Sequence, residues 1–304
     1  MGIPIDKLVQ AVRSGIDIQR SADENVRIAV FVDRSASAFL VSTLRDALVP
    51  QTPSALVRVD PIDRASTALR PDTDLALVVS CGSEGLERAV QDVIVAGVPT
   101  VVVAESSVEA PFIARDTRML GLITATDSVH LLDSLARWIL DHTEKDVAFA
   151  RNFPFMRVAA SFKVVASASA ANLATGALVF IPGADFPVMT LTQVGMMLRL
   201  AGIHGKPLKS DRLYELAGVI GAALGLRGLA RFGSSRVPRA SFAIKALIGG
   251  VGTLAVGLGL SALYERDIDY TPINDALAHA IGALRSLSGH GTMQRDADRA
   301  PFLD

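Results

Sequence analysis

The chain has 304 residues, of which 50% are hydrophobic and only 5% aromatic, with a mean hydropathy of +0.38. This length allows two modest domains, and the composition is too polar for a transporter with many membrane-spanning helices. Charge is uneven: residues 1–150 carry 14 basic and 21 acidic residues, a net charge of −7, whereas residues 151–304 carry 16 and 10, a net charge of +6. An acidic half followed by a basic half indicates two parts with different roles.

Residues 1–20 place apolar side chains such as Ile5, Leu8 and Val12 at helical spacing, which predicts a short amphipathic helix. The segment has no basic start and no long apolar run, so it does not resemble a secretion signal. Cys81 is the only cysteine, which excludes an intramolecular disulfide and fits a reducing compartment. We therefore expect the first domain to lie in the cytoplasm.

Residues 24–143 alternate between short apolar runs and amphipathic stretches. This alternation predicts an α/β domain of Rossmann-like type, with an open parallel sheet covered by helices on both faces. The predicted strands are Val26–Val32, Leu56–Val59, Leu75–Ser80, Val98–Ala104 and Leu120–Ile123. The predicted helices are Ser37–Leu48, Glu84–Ala96 and Asp127–His142.

The pattern changes after the α/β domain. The predicted segments there are a charged hinge at residues 144–157, an all-α apolar unit at 151–265, an amphipathic helix at 270–288 and a disordered tail at 289–304. Two long runs in the apolar unit, Val164–Ala184 and Ala246–Tyr264, carry no charge, and a shorter apolar stretch, Leu216–Leu226, lies between them. Each long run meets the length of about 20 residues that a membrane-spanning helix needs.

Small residues recur at a spacing of four along the apolar unit, a pattern that lets helices approach closely in lipid. The stripes comprise Gly249, Thr253, Gly257 and Ser261 in the last run, Gly221 and Gly225 in the shorter stretch, and Ala166, Ala170 and Ala174 in the first run. Together with the lengths of the runs, these stripes predict a helical unit that associates with membrane lipids.

Two features oppose a simple pair of membrane crossings. Pro182-Gly183 is expected to end the first helix, and the segment Asp185–Lys245 carries nine basic and three acidic residues. If both runs crossed the membrane, this basic segment would face outward, against the positive-inside tendency. A re-entrant or interfacial hairpin, and a soluble bundle packed by Ala and Gly, therefore stay open as alternatives.

One part of the apolar unit carries a recognisable order of residues. It comprises Ala171-Asn172, Ile181 to Pro187, Leu191 to Ala201, Gly205, Glu215-Leu216, Arg227 to Arg231, Pro238, and Gly252-Thr253 with Gly257. This order resembles a bacterial domain of unknown function that includes the YcjF-like membrane proteins and is often fused to, or encoded beside, Era-like GTPases. The resemblance covers about 110 residues from near Arg157 to Glu265, and it implies a location at the inner membrane and no established reaction.

Three polar residues belong to this order: Asp185, Gln193 and Arg199. One interpretation is a contact with a lipid head group or a partner domain. The interpretation that we favour is an intramolecular bond between Gln193 or Asp185 and Arg199 that ties the hairpin together, because buried polar groups usually bond within their own fold. Pro187 is expected in the first turn of the following helix.

Because the resemblance implies a GTPase partner, we compared residues 24–143 with the strand order and motifs of GTPases. The order of strands is similar to a shortened Era-like domain. A G-x-x-x-x-G-K-[ST] loop needs glycine amides and a lysine around the phosphates, whereas the loop after the first strand reads Asp33-Arg34-Ser35-Ala36-Ser37-Ala38. The guanine-reading Asn-Lys-x-Asp is replaced by Ala104-Glu105-Ser106-Ser107. A degenerate GTPase-like or generic Rossmann-like scaffold is predicted, and a nucleotide-binding protein with a non-standard phosphate loop stays open as the alternative.

The other reactive side chains are isolated. Cys81 has neither His nor Lys nearby in sequence, so a packed thiol is expected. Asp33 and Asp60 end strands but lack the late lysine of a phospho-receiver, which favours caps or turns. The five histidines show no metal-ligand spacing. We therefore predict a protein that is not an enzyme, with no cofactor, no metal and no nucleic-acid partner.

The resulting hypothesis is a non-catalytic scaffold or regulator at the bacterial inner membrane with a cytoplasmic N-terminal domain. Its predicted partners are membrane lipids and either a GTPase or a second copy of the chain. A soluble two-domain interaction protein in the cytoplasm is the remaining alternative.

Overall fold

The computed structural model describes residues 17–18, 20–64, 69–178, 185–206 and 241–266, together with Gly218, Gly221, Gly225, Gly228, Leu229 and Phe232. An α/β domain comes first in these residues, and a helical unit follows it. Several predictions lie wholly or mostly outside the described residues: the helix at residues 1–20, the stretch Leu216–Leu226, the break at Pro182-Gly183, the helix at 270–288 and the disordered tail at 289–304.

The α/β domain contains one sheet of five parallel strands in the order β2-β1-β3-β4-β5. The strands are β1 Val26–Val32, β2 Ala55–Pro61, β3 Leu75–Val79, β4 Thr100–Ala104 and β5 Leu120–Thr124. Every residue of β3 and β4 is buried, because helices cover both faces of the sheet and each face then requires apolar side chains. The predicted open parallel sheet is confirmed.

Three helices pack on the sheet: α1 Ala38–Ala47, α2 Leu86–Val95 and α3 Ser128–His142. The hydroxyl of Ser37 accepts a hydrogen bond from the Leu40 amide at 3.3 Å, and the Asp127 carboxylate accepts one from the His130 amide at 2.8 Å. These side chains cap the orphan amides of the first helical turn. The predicted helices were therefore one to three residues too long, because they included capping and flanking residues that are not helical.

The predicted charged hinge at residues 144–157 is wrong. The segment forms helix α4, Asp146–Asn152, and a 3-10 turn, Pro154–Met156. The side chains of Phe149, Phe153 and Met156 are fully buried in the main core of the protein. The charged residues at the start of the segment suggested an exposed connection, but the segment forms a short helix that is mostly buried. The connection between the two parts is therefore packed against the core.

Polar contacts fix this connection to the α/β domain. The amide oxygen of buried Asn152 accepts hydrogen bonds from the Thr52 amide at 3.1 Å and the Thr52 hydroxyl at 2.7 Å. The Lys145 ammonium donates to the Asp74 carboxylate at 2.6 Å and to the Asn25 carbonyl at 2.8 Å. Both ends of α4 are thus held by hydrogen bonds to loops of the α/β domain.

The helical unit consists of α5 Arg157–Leu178, α6 Asp185–Ile203 and α7 Ser241–Glu265. Helix α5 begins at the α/β domain, well before the uncharged run that starts at Val164. Pro187 lies in the first turn of α6 as predicted, where its missing amide hydrogen costs little.

Helices α5 and α7 are antiparallel and very close. A Cβ on Gly176 would lie 2.7 Å from the Cα of Ala246, and a Cβ on Gly257 would lie 2.7 Å from the Val165 side chain. Contacts therefore pair the far end of α5 with the start of α7 and the near end of α5 with the end of α7. Helix α6 runs parallel to α7, and both lead back to the α/β domain.

The contact of Gly121 with the indole of Trp138 offers a test of packing in the α/β domain. A Cβ on Gly121 would lie 2.1 Å from Trp138 Nε1, so we expect Gly121→Ala to lower the free energy of unfolding by about 2 kcal/mol through overpacking. Urea unfolding followed by fluorescence of Trp138 measures the change. Gly85→Ala is the matched control, because a Cβ there meets nothing within 4 Å; equal stability of the two variants would contradict this packing.

Candidate functional site

A single hydroxyl group joins the three helices of the helical unit. Thr253 Oγ1 accepts hydrogen bonds from Asn172 Nδ2 at 2.8 Å and from Gln193 Nε2 at 3.0 Å, and it donates to the Gly249 carbonyl at 2.7 Å. All three side chains are buried, and each comes from a different helix. A hydroxyl offers one donor and two acceptor lone pairs, so the bonding capacity of Thr253 is fully used. We call Asn172, Gln193 and Thr253 the polar triad.

The polar triad corrects the predicted role of Gln193. Its hydrogen-bond partner is Thr253, not Arg199, whose side chain is exposed. The side chain of Asp185 lies outside the described residues. The general expectation of a bond within the fold is met, but sequence spacing could not identify a partner 60 residues away. Asn172 belonged to the order of residues that carries the resemblance, but it had no predicted role.

The predicted stripe of Gly249, Thr253, Gly257 and Ser261 lies along the side of α7 that faces the other helices. A Cβ on Gly249 would lie 2.8 Å from the Met189 side chain, and one on Gly257 would lie 2.9 Å from the sulfur of Met196. Thr253 is fully buried and Ser261 is half-buried. The small residues therefore set the short distances that bring the polar triad within hydrogen-bonding range.

The residues of the other two predicted stripes are less buried. Ala166 is half-buried, Ala170 and Ala174 are exposed, and the buried side of α5 carries Ala168, Asn172 and Gly176. Alanine spacing did not indicate this buried side, because alanine is common on all sides of α5. Gly221 and Gly225 are also exposed. A Cβ on either would meet nothing within 4 Å.

The outer side of α7 is apolar along its whole length. We define its apolar outer face as Leu247, Val251, Ala255, Leu258 and Ala262, which are all exposed. The exposed fractions of the three larger side chains are 60%, 53% and 49%. Phe162 and Leu173 of α5 are also exposed large hydrophobic residues. A water-facing side of a helix normally carries charged and polar residues, and this face has none.

Helix α7 has the dimensions of a membrane span. Residues Ala243–Glu265 have a mean hydropathy of 1.9, and only 33% of the most apolar window is buried. The uncharged stretch Ala246–Tyr264 is about 28 Å long at 1.5 Å per residue, close to the bilayer hydrocarbon thickness of about 30 Å. Length and composition alone are weak support for membrane association, since core helices of soluble proteins can share them.

A second candidate site lies where the chain leaves β1 and β3. In this strand order, ligands of open α/β sheets bind at the carboxyl ends of these two strands. Asp33 follows β1, and its buried carboxylate accepts hydrogen bonds from the Ser80 hydroxyl at 2.7 Å and the Ser35 hydroxyl at 3.0 Å. Burial alone raises the pKa of Asp33, but hydrogen bonds from Ser83, Ser80 and Ser35 outweigh it and hold the pKa below its usual value.

Four backbone amides at this edge of the sheet donate to side chains of the protein. Ser35 Oγ accepts from the Cys81 amide and Ser80 Oγ accepts from the Gly82 amide, both at 3.1 Å. At the end of β4, the Glu109 carboxylate accepts from the amides of Glu105 and Ser106 at 2.9 and 3.2 Å. Two internal carboxylates, Asp33 and Glu109, thus stand where an anionic ligand would bind, and they repel a phosphate.

Cys81 and the described histidines do not cluster with other metal-ligating side chains. Cys81 is a free thiol packed against the core, and no group of three or more metal-ligating side chains occurs in the described ranges. Asp60 lies in β2 at the edge of the sheet, on the far side of β1 from β3. Asp33 and Asp60 therefore do not form a phospho-receiver pair.

Comparison of the chain with protein-family models, with curated proteins and with solved structures finds no match. The resemblance to the YcjF-like domain and to the Era-like GTPases therefore gains no support from these comparisons. The function of the protein has to be argued from its own geometry.

The polar triad gives a direct test of how the helical unit is held together. Thr253→Val keeps the shape of the side chain but leaves the amides of Asn172 and Gln193 without their common partner. Unpaired buried polar groups cost about 1–3 kcal/mol each, so we expect the thermal unfolding midpoint of the full-length protein to fall by several degrees. Thr175→Val is the control, because that hydroxyl is exposed and bonds only the Ala171 carbonyl. A midpoint equal to that of the control would show that the triad adds no stability.

His204 predicts how stability depends on pH. Burial lowers its pKa, nearby Arg157 and Lys206 lower it further, and the hydrogen bond to Leu200 and the charge of Glu265 oppose this only in part. The unfolded chain therefore binds a proton near pH 6.5 that the folded chain does not. The contribution of His204 to the free energy of unfolding is complete above pH 6.5, and it is lost as the pH falls through the lower pKa of the folded state.

We expect His204→Gln to flatten the decrease of unfolding free energy between pH 7.5 and 5.5. Urea titrations at both pH values measure this decrease. His130→Gln, an exposed position on α3, is the control that keeps the wild-type slope. An unchanged slope in His204→Gln would mean that another group causes the pH dependence.

Proposed function

We propose that the protein is a non-catalytic, membrane-associated scaffold or regulator, in which the helical unit enters the cytoplasmic side of the bacterial inner membrane and holds the α/β domain there. The observation that carries this proposal is the apolar outer face of α7. A long apolar helix in a soluble core is mostly buried, whereas only 33% of the most apolar part of α7 is buried and its remaining residues are half-buried or exposed. Covering this face with lipid removes the cost of leaving it in water.

The composition of the apolar outer face favours lipid over a protein partner. Protein interfaces concentrate their binding energy in aromatic residues and Arg. The apolar outer face has neither, because it consists of leucine, valine and alanine. The face also offers no hydrogen-bonding side chain that could select a partner. Acyl chains need only an apolar surface of sufficient length, and α7 supplies one.

The interior of the helical unit is also suited to lipid. The polar triad lies near the middle of the uncharged stretch of α7 and keeps its donors bonded within the protein. In a bilayer there is no water to compete for these bonds, and interhelical hydrogen bonds together with close small-residue contacts hold helices in place. The polar triad would also be stable in a soluble helical bundle. The argument for lipid therefore rests on the apolar outer face and not on the triad.

The α/β domain supports a binding role without catalysis. Its phosphate-binding amides are bonded to internal groups, and Asp33 and Glu109 place negative charge at the carboxyl edge of the sheet. Helix α4 joins the domain firmly to the helical unit, so a partner bound to the domain would be held at a fixed position relative to the membrane. We include in the proposal that this partner is a GTPase or a second copy of the chain.

Fractionation of bacteria that express the full-length protein tests the proposal. We expect the protein to stay with the membranes during a carbonate wash and to be released by detergent. The double variant Leu247→Asp, Val251→Asp should move to the carbonate-soluble fraction, since each charge costs about 2.5–3.5 kcal/mol in the hydrocarbon region but little in water.

Val95→Asp is the matched control, because Val95 is 87% exposed on α2 of the α/β domain. Its distribution should equal that of the wild type. Recovery of the wild-type protein in the soluble fraction without detergent would refute membrane association and favour the soluble interaction protein.

A further inference from the structure

Basic side chains collect at the boundary between the helical unit and the α/β domain. We call Arg157, Lys163, Arg199 and Lys206 the basic collar. Arg157 begins α5, and Lys206 follows the end of α6, so both lie at the domain end of the unit. Val165 of α5 lies beside Gly257 of α7, and the two helices are antiparallel, so Lys163 lies beside Gly259. Met196 of α6 also lies beside Gly257, and α6 runs parallel to α7, so Arg199 lies at about the same height along α7 as Lys163.

The basic collar marks the end of the uncharged region of all three helices. No charged residue occurs in Val164–Leu178 of α5, in Phe186–Leu198 of α6 or in Ala246–Tyr264 of α7. Lys163 and Arg199 are exposed. The Lys163 ammonium donates to the Leu140 carbonyl of the α/β domain, so the charge points away from the uncharged region. Lysine and arginine at a membrane surface likewise extend their charged groups out of the hydrocarbon layer toward the head groups.

Arg157 has no counter-ion within the part of the chain that the structure describes. Its Nε is buried without a hydrogen-bond partner, and its Nη2 donates to the Arg151 carbonyl at a long 3.5 Å. A buried, charged donor without an acceptor is costly, which points to an anion that completes the site.

Among the described residues, the collar has more basic groups than there are acidic groups beside it. Asp23 is paired with Arg151. Glu265, at the end of α7, acts on His204 as Arg157 and Lys206 do, so it offsets part of the collar's charge. Asp141 follows Leu140 but forms no ion pair with Lys163 among the described residues. The four basic residues of the collar outnumber these two carboxylates.

We infer that the basic collar binds the phosphate groups of anionic phospholipids in the cytoplasmic leaflet, with Arg157 as its central donor. The inference rests on the proposed function, and it adds a lipid class and an orientation. Guanidinium groups suit phosphate because they donate two parallel hydrogen bonds. The collar sits where the head groups lie when the uncharged region fills the hydrocarbon layer, and a soluble anion would lack this apolar contact.

Lipid binding to the full-length protein in a neutral detergent tests the inference. Phosphatidylglycerol and phosphatidylcholine with identical acyl chains are titrated, and bound lipids are counted by native mass spectrometry. We expect phosphatidylglycerol to bind at least about five-fold more tightly, and Lys163→Gln and Arg199→Gln each to weaken it by about five-fold, since a basic residue near an anionic surface contributes about that factor. Raising the salt concentration should reduce the preference.

Arg88→Gln, an exposed position on α2, is the matched control and should bind phosphatidylglycerol like the wild type. Arg157→Gln should lose most of the preference, and the two exposed variants keep the test valid if this one fails to fold. Equal affinity for the two lipids, or wild-type affinity in both Lys163→Gln and Arg199→Gln, would overturn the inference. Equally tight binding of glycerol phosphate would also overturn it, because the site would then recognise a soluble phosphate.

The two proposals fail in different ways. A protein that resists carbonate but does not distinguish the lipids keeps its membrane association and loses only the role of the collar. A protein found in the soluble fraction loses the membrane association itself.

Discussion

The helical unit depends on how closely three helix backbones can approach the side chain of Thr253. A hydroxyl reaches only about 3 Å to a hydrogen-bond partner, so Asn172 and Gln193 can meet it only if larger side chains are absent around it. Gly249 and Gly257 provide this space on either side of Thr253 along α7. The glycines and the triad therefore act together: close packing makes the hydrogen bonds, and the hydrogen bonds select one register of the helices.

The connection to the α/β domain extends this constraint through the whole described structure. Helix α4 packs its apolar side chains into the same core that contains one face of the sheet and the near ends of α5 and α6. Asn152 ties its end to the loop before β2. The orientation of α7 relative to the sheet thus follows from continuous packing, and the apolar outer face and the carboxyl edge of the sheet keep fixed positions. This rigidity is what a scaffold requires and what a flexible tether would not give.

The α/β domain was largely predictable from the sequence, because buried parallel strands are continuous apolar runs and their helices have clear caps. The small connecting helix α4 was not, since Asp146 and Arg151 suggested a solvated hinge while Phe149 and Phe153 provided the burial. In the helical unit, glycine spacing identified the packed side of α7. Alanine gave no such signal in α5, because it fits equally well on every face. The partner of Gln193 depended on the register between helices, which local spacing does not contain.

The basic segment Asp185–Lys245 looked incompatible with a membrane when it was treated as one stretch facing outward. Among the described residues of this segment, Arg199 and Lys206 lie toward the domain end of α6, whereas Lys245 lies near the start of α7 at the opposite end. In the proposed orientation, Arg199 and Lys206 join Arg157 and Lys163 on the cytoplasmic side of the bilayer, as the positive-inside tendency expects. A charge count over a whole segment assumes that the segment lies on one side of the membrane. This assumption fails when a helix within the segment runs back toward the α/β domain. The same reversal gives the membrane proposal its orientation: the uncharged stretches of α5 and α7 extend away from the domain as far as Leu178 and Ala246, and the collar lies between them and the sheet.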